Sequence, residues 1–272
     1  QFFTAQMNDE TNRFFTLEQR LRHGLEHKQF VLHYQPLVDH ASGNICGMEA
    51  LVRWNDPESG LLLPEDFIPV AEEIGLILPL GEWVLREACR QNMEWQRQGY
   101  PALRVSVNLS ARQFRQKGLV DTVRAILRET GMAPELLELE ITESSLMHDA
   151  DETLVKLRQL TEMGITLAID DFGTGYSSLS YLKKFSVSRL KIDRGFVRDL
   201  CHDKDDAAIV STIVAMANHL GLHTMAEGVE TDAQLQTLLN FGCKQFQGYL
   251  FSHPLPPSEA ALIFRPPALL AY

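Results

Sequence analysis

Phe30-Val31-Leu32-His33-Tyr34-Gln35-Pro36-Leu37 and Ile45-Cys46-Gly47-Met48-Glu49-Ala50-Leu51-Val52-Arg53-Trp54 are the stretches on which the fold turns. Both carry strand-forming residues, and only the turn-rich residues 39–44 separate them. A parallel crossover needs about a dozen residues or more, so two strands joined this closely must be antiparallel if they pair. Ahead of them, residues 11–28 place Phe14, Leu17, Leu21 and Leu25 at helical spacing among charged residues, the pattern of an amphipathic helix. Beyond residue 54 the period changes: residues 64–74 and 78–98 read as helices, with Pro64 suited to a first helical turn. Strands follow at 103–109, 136–141, 165–169, 189–192, 222–226 and 244–248, with helices between them, most clearly at 120–129, 151–162, 207–220 and 232–239. Eight strands in this alternation predict an α/β fold, a TIM-like (β/α)8 barrel with an inverted, antiparallel first strand. A doubly wound sheet competes, but no GxGxxG follows its first strand.

The 272 residues, 45% hydrophobic and 22% charged, suit one large domain of this kind. The most apolar stretch, residues 61–80, is broken by Pro64, Glu65, Asp66, Glu72 and Glu73, so no transmembrane span is expected. The chain opens on Gln1 with no basic segment leading an apolar one, and it is expected to be a piece of a longer protein. Cys46, Cys89, Cys201 and Cys243 form no CxxC pair, which fits a reducing cytoplasm, with any membrane anchor carried elsewhere in the parent protein. The histidines form neither HxH nor HExxH, which disfavours a zinc site. A net charge of −11 argues against a passive DNA or RNA binder, but not against a phosphate-bearing substrate held through cations.

The polar residues at the strand ends carry the chemistry. Glu49 lies in the second strand, Asn108 and Glu140 close the third and fourth, and Asp170 and Asp171 follow the fifth. Lys191 lies in the sixth strand, Glu227 follows the seventh, and Gln247 lies in the eighth. One acidic residue at a strand end is ordinarily a helix cap or a surface charge. Five acids, an Asn, a Gln and a Lys at corresponding ends are not, because in a barrel those ends converge on the face where active sites are built. Converging carboxylates repel one another and lose hydration, so they need countercharge. An all-oxygen ligand set suits Mg²⁺ or Mn²⁺, and the adjacent Asp170 and Asp171 can bridge two such cations, as phosphodiester hydrolysis often requires. Ca²⁺, with longer bonds and more ligands, is expected to bind and inhibit.

Met48-Glu49-Ala50-Leu51-Val52-Arg53-Trp54 carries the signature of the EAL family of cyclic di-GMP phosphodiesterases, which this sequence resembles. Asp170-Asp171-Phe172-Gly173-Thr174-Gly175-Tyr176-Ser177-Ser178-Leu179 is similar to that family's loop after the fifth strand. Val107-Asn108-Leu109-Ser110, Glu140-Ile141-Thr142-Glu143, Leu190-Lys191-Ile192-Asp193 and Gln247-Gly248-Tyr249-Leu250-Phe251 also match, in the family's order. The resemblance implies a phosphodiesterase domain over residues 17–264. Residues 1–16 resemble the exit of a GGDEF cyclase domain, and 265–272 are a C-terminal tail. It further implies one metal held by Glu49, Asn108, Glu140 and Asp170. A second would be shared by Asp170 and held by Asp171, with Glu227 bound directly or through water. Lys191 would stand beside the attacking water as base or orienting cation, counted as catalytic with Glu49 and Glu227. Gln35, Leu51, Arg53 and Gln247 would contact the substrate, Glu143 would anchor the 171–179 loop, and a homodimer would form through helices near that loop. Gly195 and His253 depart from the Ser and Arg frequent in the family at those places. The activity implied is metal-dependent hydrolysis of cyclic di-GMP to linear pGpG. The alternatives are a catalytically silent cyclic di-GMP receptor and, if the motifs are set aside, a metal-assisted barrel lyase or isomerase. No direct membrane contact is expected of this fragment.

Overall fold

The computed structural model describes residues 15–147, 150–175 and 179–264. The tail expected at 265–272, the whole of 1–14 and the Tyr176-Ser177-Ser178 part of the 170–179 loop lie outside them. Helix α1, from residue 15 to residue 26, buries Leu21 in the same hydrophobic core as Trp54, Phe30 and Phe67. The strands are β1 (Phe30–Asp39), β2 (Asn44–Asp56), β3 (Gly60–Leu62), β4 (Arg104–Leu109), β5 (Leu137–Thr142), β6 (Thr166–Phe172), β7 (Arg189–Ile192), β8 (His223–Ala226) and β9 (Gln245–Phe246). They form one sheet in the order β1-β9-β8-β7-β6-β5-β4-β2-β3, and a further β1–β2 pairing closes it into an eight-stranded barrel, with β3 outside. β1 runs antiparallel to both of its neighbours in the barrel, β2 and β9, and the remaining barrel pairings are parallel. The inverted first strand read from the short 39–44 link is therefore what the chain forms.

The helices are α2 (Pro64–Glu73), α3 (Ile77–Arg97), α4 (Ala111–Phe114), α5 (Leu119–Thr130), α6 (Glu143–Leu146), α7 (Ala150–Glu162), α8 (Leu179–Leu182), α9 (Arg194–Arg198), α10 (Lys204–Leu220), α11 (Asp232–Phe241) and α12 (Pro257–Ala260). α10 starts at Lys204 rather than at 207 because the Asp203 side chain accepts from the backbone N–H groups of Asp205 and Asp206. That first turn carries charge rather than apolar residues, so the hydrophobic period does not reveal it. The short elements β3, α4, α6, α8, α9 and α12 are too brief for periodicity to show. β6 runs three residues past 169, and β9 pairs over only two.

Alternation along the strands divides the core in two. Outward-facing Trp54, stacked at 5.6 Å on Phe30 and edge-on at 5.9 Å to Phe67, packs the β1–β2 corner against α2. Tyr34 meets Trp95 of α3 edge-on, which in turn meets Phe264 near the end of the described chain. The inward faces carry charge instead of aliphatic layers, and these side chains build the site described next. Among the described residues no helix is long and apolar enough to cross a membrane.

Candidate active site at the barrel mouth

Lys191 of β7 stands fully buried on the barrel axis, where a lone ammonium would be costly. Four carboxylates surround its Nζ: Glu140 at 2.5 Å, Glu227 at 2.5 Å, Asp170 at 3.3 Å and Glu49 at 3.7 Å. Burial works against the charge, yet Asp170, Glu140, Glu227 and Glu49 together hold the lysine pKa well above its usual value. The acids feel the opposite pressure. Burial, then Glu49, raises Glu140 well above the carboxylate range, and burial with Asp170 pushes Glu227 to about 8. The ring is overcharged for one ammonium.

β6 supplies two consecutive acids, which a regular strand would point to opposite faces. The strand avoids this with a bulge between Ile169 and Phe172, where Asp171 takes a left-handed φ of 52°. Bulges of this kind re-aim side chains beside functional sites, and a non-glycine residue there stores strain. The result is that Asp170, Asp171 and Glu227 each bring a carboxylate oxygen within 4.8 Å of the others. Burial, Asp170 and Asp193 push the Asp171 carboxyl up to about 6. Glu140 Oε1 is buried without a hydrogen-bond partner, and Asp170 Oδ1 lies near Lys191 without hydrogen-bond geometry. Overcharge, unpartnered buried oxygens and hard oxygen donors together fit divalent cations of the Mg²⁺ or Mn²⁺ class.

The amides are arranged around Glu49. Asn108 Nδ2 donates to its Oε1 at 2.6 Å, and this bond does not use the Asn108 Oδ1. Gln247 Nε2 donates to Glu49 Oε2 at 2.5 Å and to Gln35 Oε1 at 2.9 Å, and Gln35 Nε2 donates to the Ser252 carbonyl at 2.9 Å. The β1–β2 register sets Gln35 directly opposite Glu49, so the inversion of β1 is what delivers Gln35 to the site. Leu51 lines the cavity over the ring, of about 260 Å³, and a second one of about 280 Å³ beside it. Arg53 lies on the same face of β2 but lines neither cavity; its Nη1 donates to the Val52 carbonyl at 2.8 Å. Glu143 is expected in a loop and instead is the first residue of α6, since β5 passes directly into that helix. It is 2% exposed, and its Oε2 accepts from the Gly173 N–H at 2.9 Å.

Two groups are given no role by the sequence. Arg194 and Tyr249, with Gly228, Glu230 and Gly248, line the cavity over the ring. One layer further in, Glu138 of β5 accepts from Arg189 Nη1 at 2.7 Å and from Ser106 Oγ at 2.8 Å, with Arg104 3.7 Å away. Strand alternation contains that second signal: Glu138 and Arg189 each lie two residues before Glu140 and Lys191, hence on the same inward face.

The family description that matches this chain is the EAL domain, over residues 18–254. The chain is 51% identical over 258 residues to the bifunctional diguanylate cyclase/cyclic di-GMP phosphodiesterase MucR of Pseudomonas aeruginosa, covering 95% of this chain and 38% of that protein. It is 46% identical over 256 residues to the cyclic di-GMP phosphodiesterase NbdA of the same organism, covering 94% of this chain and 33% of that protein. The chain therefore spans less than two fifths of either relative. A solved structure described as the PaMucR phosphodiesterase in complex with c-di-GMP superimposes with a TM-score of 0.88 at 52% identity, over 90% of this chain and 99% of that one.

Proposed function

The chain belongs to the EAL domain family, and on that footing we propose that it hydrolyses cyclic di-GMP to linear pGpG at the carboxylate ring, with two divalent cations. The carrying observation is the ring itself: one buried ammonium among four carboxylates, with Asp171 brought beside Asp170 and Glu227 by the β6 bulge. Glu49, Asn108, Glu140 and Asp170 would hold one Mg²⁺ or Mn²⁺, and Asp170, Asp171 and Glu227 the other. Bound there, the cations supply a water made nucleophilic near neutral pH and neutralise charge on the phosphate.

The protein's own groups position the reactants. Lys191, with its Nζ among Glu140, Glu227, Asp170 and Glu49, stands beside the attacking water, where it orients that water as a cation or takes its proton as a base. Gln247 and Asn108 hold the two oxygens of Glu49 from opposite sides and fix its direction. Leu51, Pro64, Ile68, Ile77 and Val84 give the neighbouring cavity apolar walls, with Asn108 and Ser110 at hand, which suits the flat face of a purine. The water oxygen bonds to phosphorus as the P–O3′ ester breaks, the leaving 3′-oxygen takes a proton, and 5′-phosphorylated pGpG departs. A homodimer through the helices near residues 170–179 belongs to this reading, and sedimentation would read it as a doubled mass.

Incubation with cyclic di-GMP and Mg²⁺, followed by chromatography, tests the proposal. The expected product is pGpG, absent with EDTA or excess Ca²⁺. Tight binding without product would make the chain a receptor, and neither binding nor product would remove cyclic di-GMP as the ligand.

A further inference from the structure

The ring at the mouth has a counterpart one layer down. Glu49, Glu140, Lys191 and Gln247 meet in a single layer of the barrel: Gln247 Nε2 reaches Glu49 at 2.5 Å, and Lys191 Nζ reaches Glu140 at 2.5 Å and Glu49 at 3.7 Å. Side chains two residues apart on a strand share a face. The layer beneath is therefore Gly47, Glu138, Arg189 and Gln245, roughly 6.6 Å further from the mouth. A (β/α)8 barrel fills such a layer with four side chains, one from every second strand. Here Gly47 supplies none, and three polar side chains share the space of four. Glu138 is wholly buried and Arg189 is 4% exposed. Glu138 Oε1 accepts from Arg189 Nη1 at 2.7 Å and from Ser106 Oγ at 2.8 Å. Its Oε2 has only Arg104 Nη1, at 3.7 Å, which is too long for a hydrogen bond. β4 brings Arg104 there by pairing it with Gly47 across the parallel ladder. Gln245 lies opposite Asp39 in the β1–β9 ladder and donates its amide toward that carboxylate. Four atoms remain buried without a hydrogen-bond partner among the described residues: Arg104 Nε, Arg189 Nε, Glu138 Oε2 and Gln245 Oε1. They are two donors and two acceptors. None of these four residues lines either cavity at the mouth.

We propose that these four atoms surround one internal water molecule, which accepts from the two guanidinium Nε–H groups and donates to Glu138 Oε2 and Gln245 Oε1. The polarity of the set selects the ligand. An anion would meet two oxygens, one of them on a carboxylate, and a metal cation would meet two guanidinium groups. Water offers two donors and two acceptors, and buried waters typically make about three hydrogen bonds to otherwise unsatisfied groups of this kind. The site joins β4, β5, β7 and β9. Asn108, Glu140 and Lys191 lie further along the first three, and Gln247 follows the fourth, so the water ties together the strands that rise into the ring. The site is independent of what the mouth binds.

Crystals of the intact chain grown in sodium bromide test the site directly. The expected map has one peak within about 2.7–3.2 Å of all four atoms, with no anomalous signal at the bromine edge. A bromine signal there would replace the water with an anion and overturn the proposal. So would four groups bonded to one another with no peak between them. In solution, oxygen-17 relaxation dispersion counts long-lived internal waters, with EDTA present so that no cation-bound water contributes. Glu138→Leu combined with Arg189→Leu removes two of the four partners, and the count is expected to fall by one water. An unchanged count in the folded double variant would overturn the proposal, and if that variant does not fold the wild-type map decides.

Discussion

Lys191 and its carboxylates are a bound pair of opposites, and removing either side has a different consequence. Asp170→Ala or Glu49→Ala takes a proposed cation ligand away but relieves repulsion inside the ring. Each should abolish hydrolysis while the metal-free Tm stays or rises. Lys191→Ala leaves Glu140, Glu227, Asp170 and Glu49 around a void without countercharge. Stripping one partner from a buried ion pair costs about 3–5 kcal/mol. Its metal-free Tm should fall by several degrees, and Mg²⁺ should recover more of that loss than it adds to the wild type. Calorimetry of the three variants with and without Mg²⁺ checks both halves, and equal Tm changes across them would count against the ring.

The same residues set a pH dependence. Asp171 holds its proton to about 6 and Glu227 to about 8, against ordinary values of 3.8 and 4.5, so the metal-free fold binds protons that the unfolded chain releases. Metal-free stability from these two groups therefore falls as pH rises from about 4 through about 8. A cation needs both carboxylates ionised, so Mg²⁺ affinity should climb with pH over the same window, with proton release that shrinks toward pH 8. Isothermal titration at pH 6 and pH 8 in two buffers of different ionisation enthalpy measures both; affinity independent of pH would contradict the assignment of Asp171 and Glu227.

At the scale of elements, the β6 bulge and α6 act together. Asp171 owes its aim to a left-handed backbone residue, and the turn that follows it is tied down by Gly173 N–H donating to Glu143. Glu143→Ala removes a charge-assisted bond worth roughly 1.5–3 kcal/mol. We expect the fold to remain, turnover to fall on the order of 10²-fold, and the Mg²⁺ requirement to rise, because a small misplacement of Asp171 is enough. A Mg²⁺ titration of steady-state rates would show it, and unchanged kinetics would make Glu143 structural only. This region also marks how far the sequence could be read. The inverted β1 follows from a link too short for a crossover, and the strand-end acids from their positions on an alternating pattern. The bulge does not, because nothing in Ala168-Ile169-Asp170-Asp171 signals which residue will turn left-handed. Alternation alone would have set Asp170 and Asp171 on opposite faces. The meeting of Arg194 and Tyr249 at one cavity was hidden for a related reason: it depends on Gly228 and Gly248 packing between segments more than 50 residues apart in sequence.

At the scale of the molecule, the barrel interior carries two ionic layers on the same strands: Glu138 with Arg189 below, Glu140 with Lys191 above. The lower layer touches no cavity described at the mouth and holds β5 and β7 in register beneath the ring. Glu138→Leu alone leaves Arg189 and Arg104 buried or half-buried beside an apolar group, a loss of about 3–5 kcal/mol. Arg189→Leu should cost a similar amount, and the double replacement less than either single change. Urea unfolding of the three variants reads the coupling, and additive losses would show that the layer is not a pair.

The central claim is that the carboxylates at the mouth form a two-cation centre. Anomalous diffraction from crystals grown with Mn²⁺ tests it most directly. The account predicts two manganese peaks, one bound by Glu49, Asn108, Glu140 and Asp170 and one by Asp170, Asp171 and Glu227, with Asp170 shared. A mouth free of manganese at saturating concentration, or peaks bound only by residues outside this ring, would contradict it.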